Sequence, residues 1–381
     1  MYIYLVLFLC VLLGALAEML FPKNITKLWG ILFAVLAAVF VLRYGQGTDY
    51  FGYQFIYDHM DSWRELTSYA GSGIHSEVGW KILCIVSNKL GLSFVSFTIC
   101  LSLFESFLLY RFIKLFCPYK LFALFLLFPT FYLTYLCSAL RQGLMLVLFL
   151  GWLLPLLLQG KTWKYLLGCL VCVSIHKVSM VLLAAPLVLR VPQLKTLHGL
   201  VIASFAAGIF IAFSGLGAAL LSLMPSEAVG YYDPKEVLSF PVIERILTYF
   251  IVAIMFHWYR KCHPKEDYTD LINCLKLYAF GTILYGFLCW IKLLSSRAGY
   301  PFKVLEIVLI CNMLSQKNIR LILCAYLLPF GTLMYFKNMN SYLEQGGYSL
   351  SVNAVNFPYV SIFNQRQIFW YRDVNMNLMD E

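Results

Sequence analysis

Apolar runs of membrane-crossing length recur from Tyr2 to about Phe336, and this pattern leaves the chain little choice of fold. A bilayer's hydrocarbon core is about 30 Å thick, so a crossing helix needs roughly 20 mostly apolar residues. Such stretches lie at 2–21, 28–42, 94–113, 121–137, 144–158, 200–224, 243–259, 271–294, 302–314 and 319–336. The 381 residues are 61% hydrophobic and 13% charged, whereas soluble domains carry about a quarter charged residues. The chain therefore reads as an all-α, polytopic integral membrane protein and not as a soluble domain with an anchor. The first run lacks a basic start and contains Glu18. With further spans behind it, it reads as a retained helix and not a cleaved signal. The twelve cysteines are scattered through apolar segments, and Cys169-x-x-Cys172 has no soft ligands nearby. That excludes a zinc or redox reading. We expect no metal and no cofactor.

Two further segments, 163–175 and 178–189, meet at His176-Lys177. Each is about a dozen residues, roughly 20 Å of helix, so they are short or tilted spans meeting at a turn below the membrane surface, or one broken helix. Residues 78–90 are apolar on one side but carry Lys81, Asn88 and Lys89, which suggests an interfacial or re-entrant helix. Six basic clusters fall on one side if the short pair crosses twice and 78–90 does not cross: Lys23/Lys27, Arg111/Lys114/Lys120, Lys161/Lys164, Arg190/Lys195, Arg260/Lys261/Lys265 and Lys317/Arg320. That side is the cytoplasm, since short cytoplasmic loops are enriched in Lys and Arg. The same rule explains the net charge of +10 without any nucleic-acid partner. The expectation is one transmembrane domain over 1–381, with about twelve crossings. Loops at 43–77, 225–241 and 295–301 and a tail from 337 to 381 face outside.

The seam Ser138-Ala139-Leu140-Arg141-Gln142-Gly143 joins two runs that carry no charge. A guanidinium at membrane depth costs a few kcal/mol even on insertion scales. It is tolerated where it snorkels to the interface, lines an aqueous cavity or meets an anion. Other features on the same outer face favour the anion. The first loop opens Arg43-Tyr-Gly-Gln-Gly-Thr-Asp49-Tyr50-Phe-Gly-Tyr53 and continues to His75-Ser-Glu77-Val-Gly79. Aromatic faces beside carboxylates and amides suit a sugar, although interfacial tyrosine belts are also common. Glu77, at a helix start, also compensates the helix dipole. His176 sits at the break of the short pair, where irregular backbone lines cavities, and histidine suits proton transfer near neutrality. Arg297, with Tyr300, is a further arginine in an outer loop, and the tail carries Asn353, Asn356, Pro358 and Tyr359. Arginines match phosphate oxygens bidentately, so the fitting substrate is an anionic, diphosphate-bearing lipid. No nucleotide-binding glycine loop is present.

Arg43…Gly47-Thr-Asp49-Tyr50…Tyr53, Glu77-x-Gly79, Arg141-Gln142 opening a span, and His176 after the next one resemble the EpsG-like, Wzy-type polysaccharide polymerases. Arg297 with Tyr300 and Pro358-Tyr359 extend the likeness, which runs from about Arg43 to Tyr359. The resemblance implies a fold related to the lipid-dependent, GT-C type glycosyltransferases. It also implies an enzyme joining undecaprenyl-diphosphate-linked oligosaccharide repeats on the outer face of a bacterial inner membrane. The partners would be the lipid-linked glycan and the bilayer, with a chain-length regulator and a flippase as candidate protein partners. Carried onto this chain, Arg141 and Arg297 contact diphosphate or glycan, together with Arg43 and Asp49. Gln142, Glu77, Tyr50, Tyr53, Tyr300 and Tyr359 join them as substrate contacts. His176 as base is our own assignment, with Asp49 as the other candidate. A flippase or exporter, or an O-antigen ligase, is the rival reading. A transporter should carry basic residues along a path through both leaflets.

Overall fold

The computed structural model describes residues 2–21, 26–66, 76–214, 216–222, 237 and 239–372. They are overwhelmingly helical. No strand forms among them, and their extended pairings are two isolated bridges, Arg43 with Ser361 and Tyr348 with Arg372. Five described helices are both long and apolar enough to cross a bilayer: Ile3–Leu20, Leu140–Leu158, Leu194–Phe213, Phe240–Cys262 and Lys317–Gln345. The chain is an all-helical membrane protein.

It divides into two compact units. The first comprises Met1–Leu154, Leu170–Lys177 and Ile322–Glu381. Its opening helix, Ile3–Leu20, carries Glu18 to the start of the helix Lys120–Leu127. There both carboxylate oxygens accept backbone N–H groups, from Lys120 and Phe122, at 2.9 Å. A helix start leaves such donors unpaired and positive, so a charge inside an apolar run is here a cap supplied from another helix. Beyond Leu127 the helix widens into a π-helix, Phe128–Leu136, with Pro129 in its first turn. Backbone groups displaced at membrane depth must find partners. The Pro129 carbonyl accepts from the Asn338 amide at 2.6 Å and the Leu133 carbonyl from the Tyr342 hydroxyl. The tail then folds against the first loop: Tyr44 N–H donates to Val360 O at 2.8 Å and Ile362 N–H to Leu42 O at 2.9 Å.

The second unit comprises Pro155–Cys169 and Val178–Leu321. Small residues set its helix packing. Close backbone approach replaces hydrophobic driving force inside a bilayer. Gly208 of the helix Leu194–Phe213 lies against the Gly286 backbone, and a side chain at Gly281 would come within 2.8 Å of the Gly299 carbonyl.

Several boundaries differ from expectation. Residues 295–301 are not a loop but the interior of a helix, Lys292–Lys303. Ser-Ser-Arg-Ala-Gly-Tyr-Pro has the composition of a turn. However, Ser296 bonds back to the Leu293 carbonyl at 3.0 Å, and Gly299 packs on Gly281, so tertiary contact overrides local preference. The tail does not begin at Lys337, because the last long helix runs on to Gln345. The first loop contains its own helix, Tyr50–Asp58. The run 271–294 is broken after Phe287 and re-enters helix at Lys292, and 302–314 is divided between Lys292–Lys303 and Leu305–Met313. The break at His176 stands where expected, but the segment after it is a 3-10 helix, Lys177–Ala184, before Ala185–Leu189. Most of the expected loop 225–241, and residues 67–75 of the first loop with His75, lie outside the described residues.

Candidate functional site

The site grows from two interruptions of helix in the first unit. Cys137, Ser138 and Ala139 separate the π-helix from the helix Leu140–Leu148, which places Arg141 in that helix's first turn. A cation there opposes the helix dipole, so the position calls for a nearby anion. Glu77 supplies it. This residue is the extended N-cap of the helix Val78–Lys89, yet its carboxylate caps nothing in its own helix. Glu77 Oε2 accepts from Arg141 Nη1. Its Oε1 accepts the Lys177 backbone N–H at 3.1 Å and lies 3.5 Å from His176 Nδ1.

Gly79 explains why these groups can meet. A Cβ at this position would fall on the Ser174 hydroxyl and within 2.7 Å of the Ser174 carbonyl carbon and oxygen. Only a glycine lets the start of the Val78–Lys89 helix lie directly on the end of the helix Thr162–Ile175, and that carries Glu77 to His176. Gly47 does the same for the first loop. At φ +99° its missing side chain leaves room for the Cys137 carbonyl, and the Thr48 N–H then reaches Ser138 Oγ at 2.9 Å.

The cluster is shielded without being sealed: the side chains of Arg141 and Glu77 are 21% and 12% exposed. The Arg141 guanidinium lies 5.6 Å from the centre of the Tyr53 ring, and Tyr53 packs on Trp80 at 5.5 Å. Burial pushes the Glu77 carboxyl up, but His176, the Arg141 charge and the Lys177 N–H outweigh it and hold it down to about 2. The carboxylate is therefore a fixed negative charge. Among the described residues Arg141 Nε and both ring nitrogens of His176 are buried with no hydrogen-bond partner, as is Nε2 of the neighbouring Gln142. Buried polar atoms are normally paired, and here Arg141 Nε and His176 Nε2 are left for a ligand to satisfy. Chemically it offers a guanidinium for an anion and an imidazole whose Nδ1 side faces a carboxylate while Nε2 stays free.

Of the expected site residues, His176, Glu77, Arg141 and Tyr53 meet in this cluster, and Gln142 is buried beside Arg141 in the same helix. Others are engaged elsewhere. Arg43 is buried and donates from Nη1 to Ser102 Oγ at 2.8 Å and Phe40 O and from Nη2 to Leu136 O at 3.2 Å, which ties it to the base of the loop, while its Nε is buried with no partner among the described residues. Asp49 precedes the Tyr50–Asp58 helix and accepts from the Thr48 hydroxyl at 3.0 Å. Tyr50 is buried against Tyr44 and Phe94, and the Tyr359 hydroxyl donates to Val39 O at 3.1 Å. Arg297 and Tyr300 belong to the second unit. Tyr300 is buried. Arg297 is half-buried and has no ion pair or hydrogen bond among the described residues.

Two features escaped the sequence reading. Arg372, in the tail, is buried and donates to the carbonyls of Gly45 at 3.1 Å, Gly47 at 2.8 Å and Thr48 at 3.0 Å, and to Gly346. It fixes the glycine-rich loop from the far end of the chain, and nothing local signals that role. The second is a charge network in the second unit. Lys303 Nζ lies 3.0 Å from Glu244 Oε1 and 3.7 Å from Glu306 Oε1, and the Tyr278 hydroxyl donates to Glu306 at 2.8 Å. Arg245 Nε lies 3.8 Å from Glu244 Oε2. Here a signal existed, since each of two apolar runs carries charges of opposite sign. Ionisable residues within spans are functional candidates by default.

No curated protein and no solved structure matches the chain. Residues 26–361, most of the sequence and the whole of the Arg141–Glu77–His176 cluster, match the model of the EpsG family, and the chain belongs to that family.

Proposed function

We propose that this protein is a membrane glycosyltransferase that polymerises lipid-linked oligosaccharide repeats of a surface polysaccharide. Membership of the EpsG family supports a polysaccharide-related membrane enzyme. The observation that carries the finer reading is the meeting of Arg141, Glu77 and His176 at a double helix break. The substrate class is an undecaprenyl-diphosphate-linked glycan, acted on at the outer face of a bacterial inner membrane. In this reading the fold is GT-C related, with about twelve crossings. A chain-length regulator and a flippase are its protein partners.

In the reaction, a terminal hydroxyl of the incoming repeat attacks the anomeric carbon of the growing chain. The new C–O bond forms as the bond to the lipid diphosphate breaks. His176 Nε2 takes the hydroxyl proton, and Glu77 on the Nδ1 side orients the ring and balances the charge it gains. Arg141 stabilises negative charge on the departing diphosphate, the type of electrostatic term that dominates such catalysis. Arg297, with no ion pair or hydrogen bond among the described residues, is a further candidate in the second unit for contact with an anionic substrate. Asp49 is the alternative base. The test is direct: purified protein in nanodiscs, given a single undecaprenyl-diphosphate-linked repeat, should yield a ladder of longer lipid-linked chains. Failure to extend an intact substrate would overturn the proposal.

One observation favours a second reading. The buried network Glu244–Lys303–Glu306 lies within apolar segments, as charges along a transport path would. A lipid-linked glycan exporter should move labelled substrate across a proteoliposome membrane without lengthening it.

A further inference from the structure

The second unit contains a cavity of about 850 Å³ that is unrelated to the cluster above. It opens where three helices share one end: the start of Leu194–Phe213, the last turns of Phe240–Cys262 and the start of Thr269–Phe287. Its wall carries Lys195, Arg260 and Lys276 with His198 and His257, and no acidic residue. Lys276 is buried with a single carbonyl partner, Leu189 O at 3.0 Å, and Arg260 Nε is buried with none. Lys195 and His257 have no ion pair or hydrogen bond among the described residues. Lys276 is buried and Arg260 half-buried, its guanidinium 5.9 Å from the centre of the Tyr268 ring, and neither has a counter-ion among the described residues; such burial is costly, so the cavity is electrostatically incomplete. The rest of the wall is apolar, including Phe250 and Ile254, and Ile254 is 59% exposed on the outer side of its helix.

We infer that this cavity holds the phosphate of an anionic phospholipid, with its acyl chain lying along Phe250 and Ile254. Arg260 offers a planar fork to the phosphate oxygens, while Lys195 and Lys276 add point charges. The location fits a headgroup. The cavity lies at helix ends, on the side that the six basic clusters assign to the cytoplasm, and basic recesses between helices on that side bind anionic headgroups. The site is independent of the proposed polymerisation chemistry, so either can fail alone.

The experiment uses the full-length protein, delipidated in neutral detergent. Native mass spectrometry and thermal melting would follow titration with phosphatidylglycerol, phosphatidylcholine or inorganic phosphate. We expect phosphatidylglycerol to bind about tenfold or more tightly than phosphatidylcholine and to raise the melting temperature. Arg260→Gln should abolish that preference. Lys195→Gln, at an exposed position that cannot unfold the protein, should weaken it by a few-fold, with a flatter salt dependence. Equal binding of the two lipids, or a preference that survives both substitutions, would overturn the proposal. So would a full thermal shift from inorganic phosphate alone, since that makes the site a soluble-anion site.

Discussion

Glu77 serves three groups with two oxygens, and its substitutions separate charge from geometry. Its carboxyl is held to about 2 against an ordinary 4.5. The stabilisation is thus complete above the ordinary value and is lost as pH falls through the depressed one. Glu77→Gln should cost about 2–3 kcal/mol, less than a fully buried pair, because Arg141 keeps some solvent contact. The melting-temperature gap to wild type should close as pH falls from about 4.5 toward about 2. A gap that keeps widening over that acid range would contradict the assignment. Arg141→Lys tests the fork. It keeps the charge but not the planar donors, so extension should fall at least about tenfold at normal expression; full-length polymer from the Lys variant would return Arg141 to a boundary role. Arg141 and His176 were each legible alone, as a charge at an apolar seam and as a break between short runs. Their meeting through Glu77 was not. The ion pair joins residues 64 positions apart and the Lys177 bond residues 100 apart, and such distances leave no local trace.

At the scale of elements, the decisive feature is one helix laid on the end of another through Gly79. Gly79→Ala should lift the Val78–Lys89 helix off Ser174 and draw Glu77 from His176, with loss of activity in a protein that still folds. Gly52→Ala is the control. Nothing lies within 4 Å of its missing side chain, so activity should be unchanged and stability equal or slightly higher. Activity assays beside thermal melts check both, and an active Gly79→Ala protein would detach that packing from function. Apolar periodicity made most helices legible, whereas their interruptions were harder to read. The π-helix over Phe128–Leu136 depends on Asn338 and Tyr342, some 200 residues away, to receive its carbonyls. The turn-like residues 295–301 became helix because Gly281 offers a close seat for Gly299. In both cases a distant partner decides what a local signal cannot.

For the whole molecule, composition was enough to establish an all-helical membrane protein, and the order of short motifs was enough to indicate the family. Orientation rests on the basic clusters alone. With native cysteines replaced, an impermeant maleimide applied from outside should label a cysteine at Ser351 and leave those at Thr162 and Gln316 unlabelled. The opposite pattern would invert the topology and place Arg141 on the side without lipid-linked repeats. Arg372 illustrates the limit of sequence reading at this scale: a tail residue clamps the first loop, and only the folded chain brings the two together.

The central claim is that His176 moves the proton while the arginines hold the substrate. His176→Gln keeps a hydrogen-bonding side chain but removes the proton acceptor. Extension of lipid-linked repeats and equilibrium binding of the same substrate should be measured side by side on the purified variant. Extension should fall by about 10²–10⁴-fold, the usual worth of a general base, with binding within a few-fold of wild type. Near-normal extension would contradict the claim and move the base to Asp49, and loss of binding together with extension would make His176 a substrate contact and not a base.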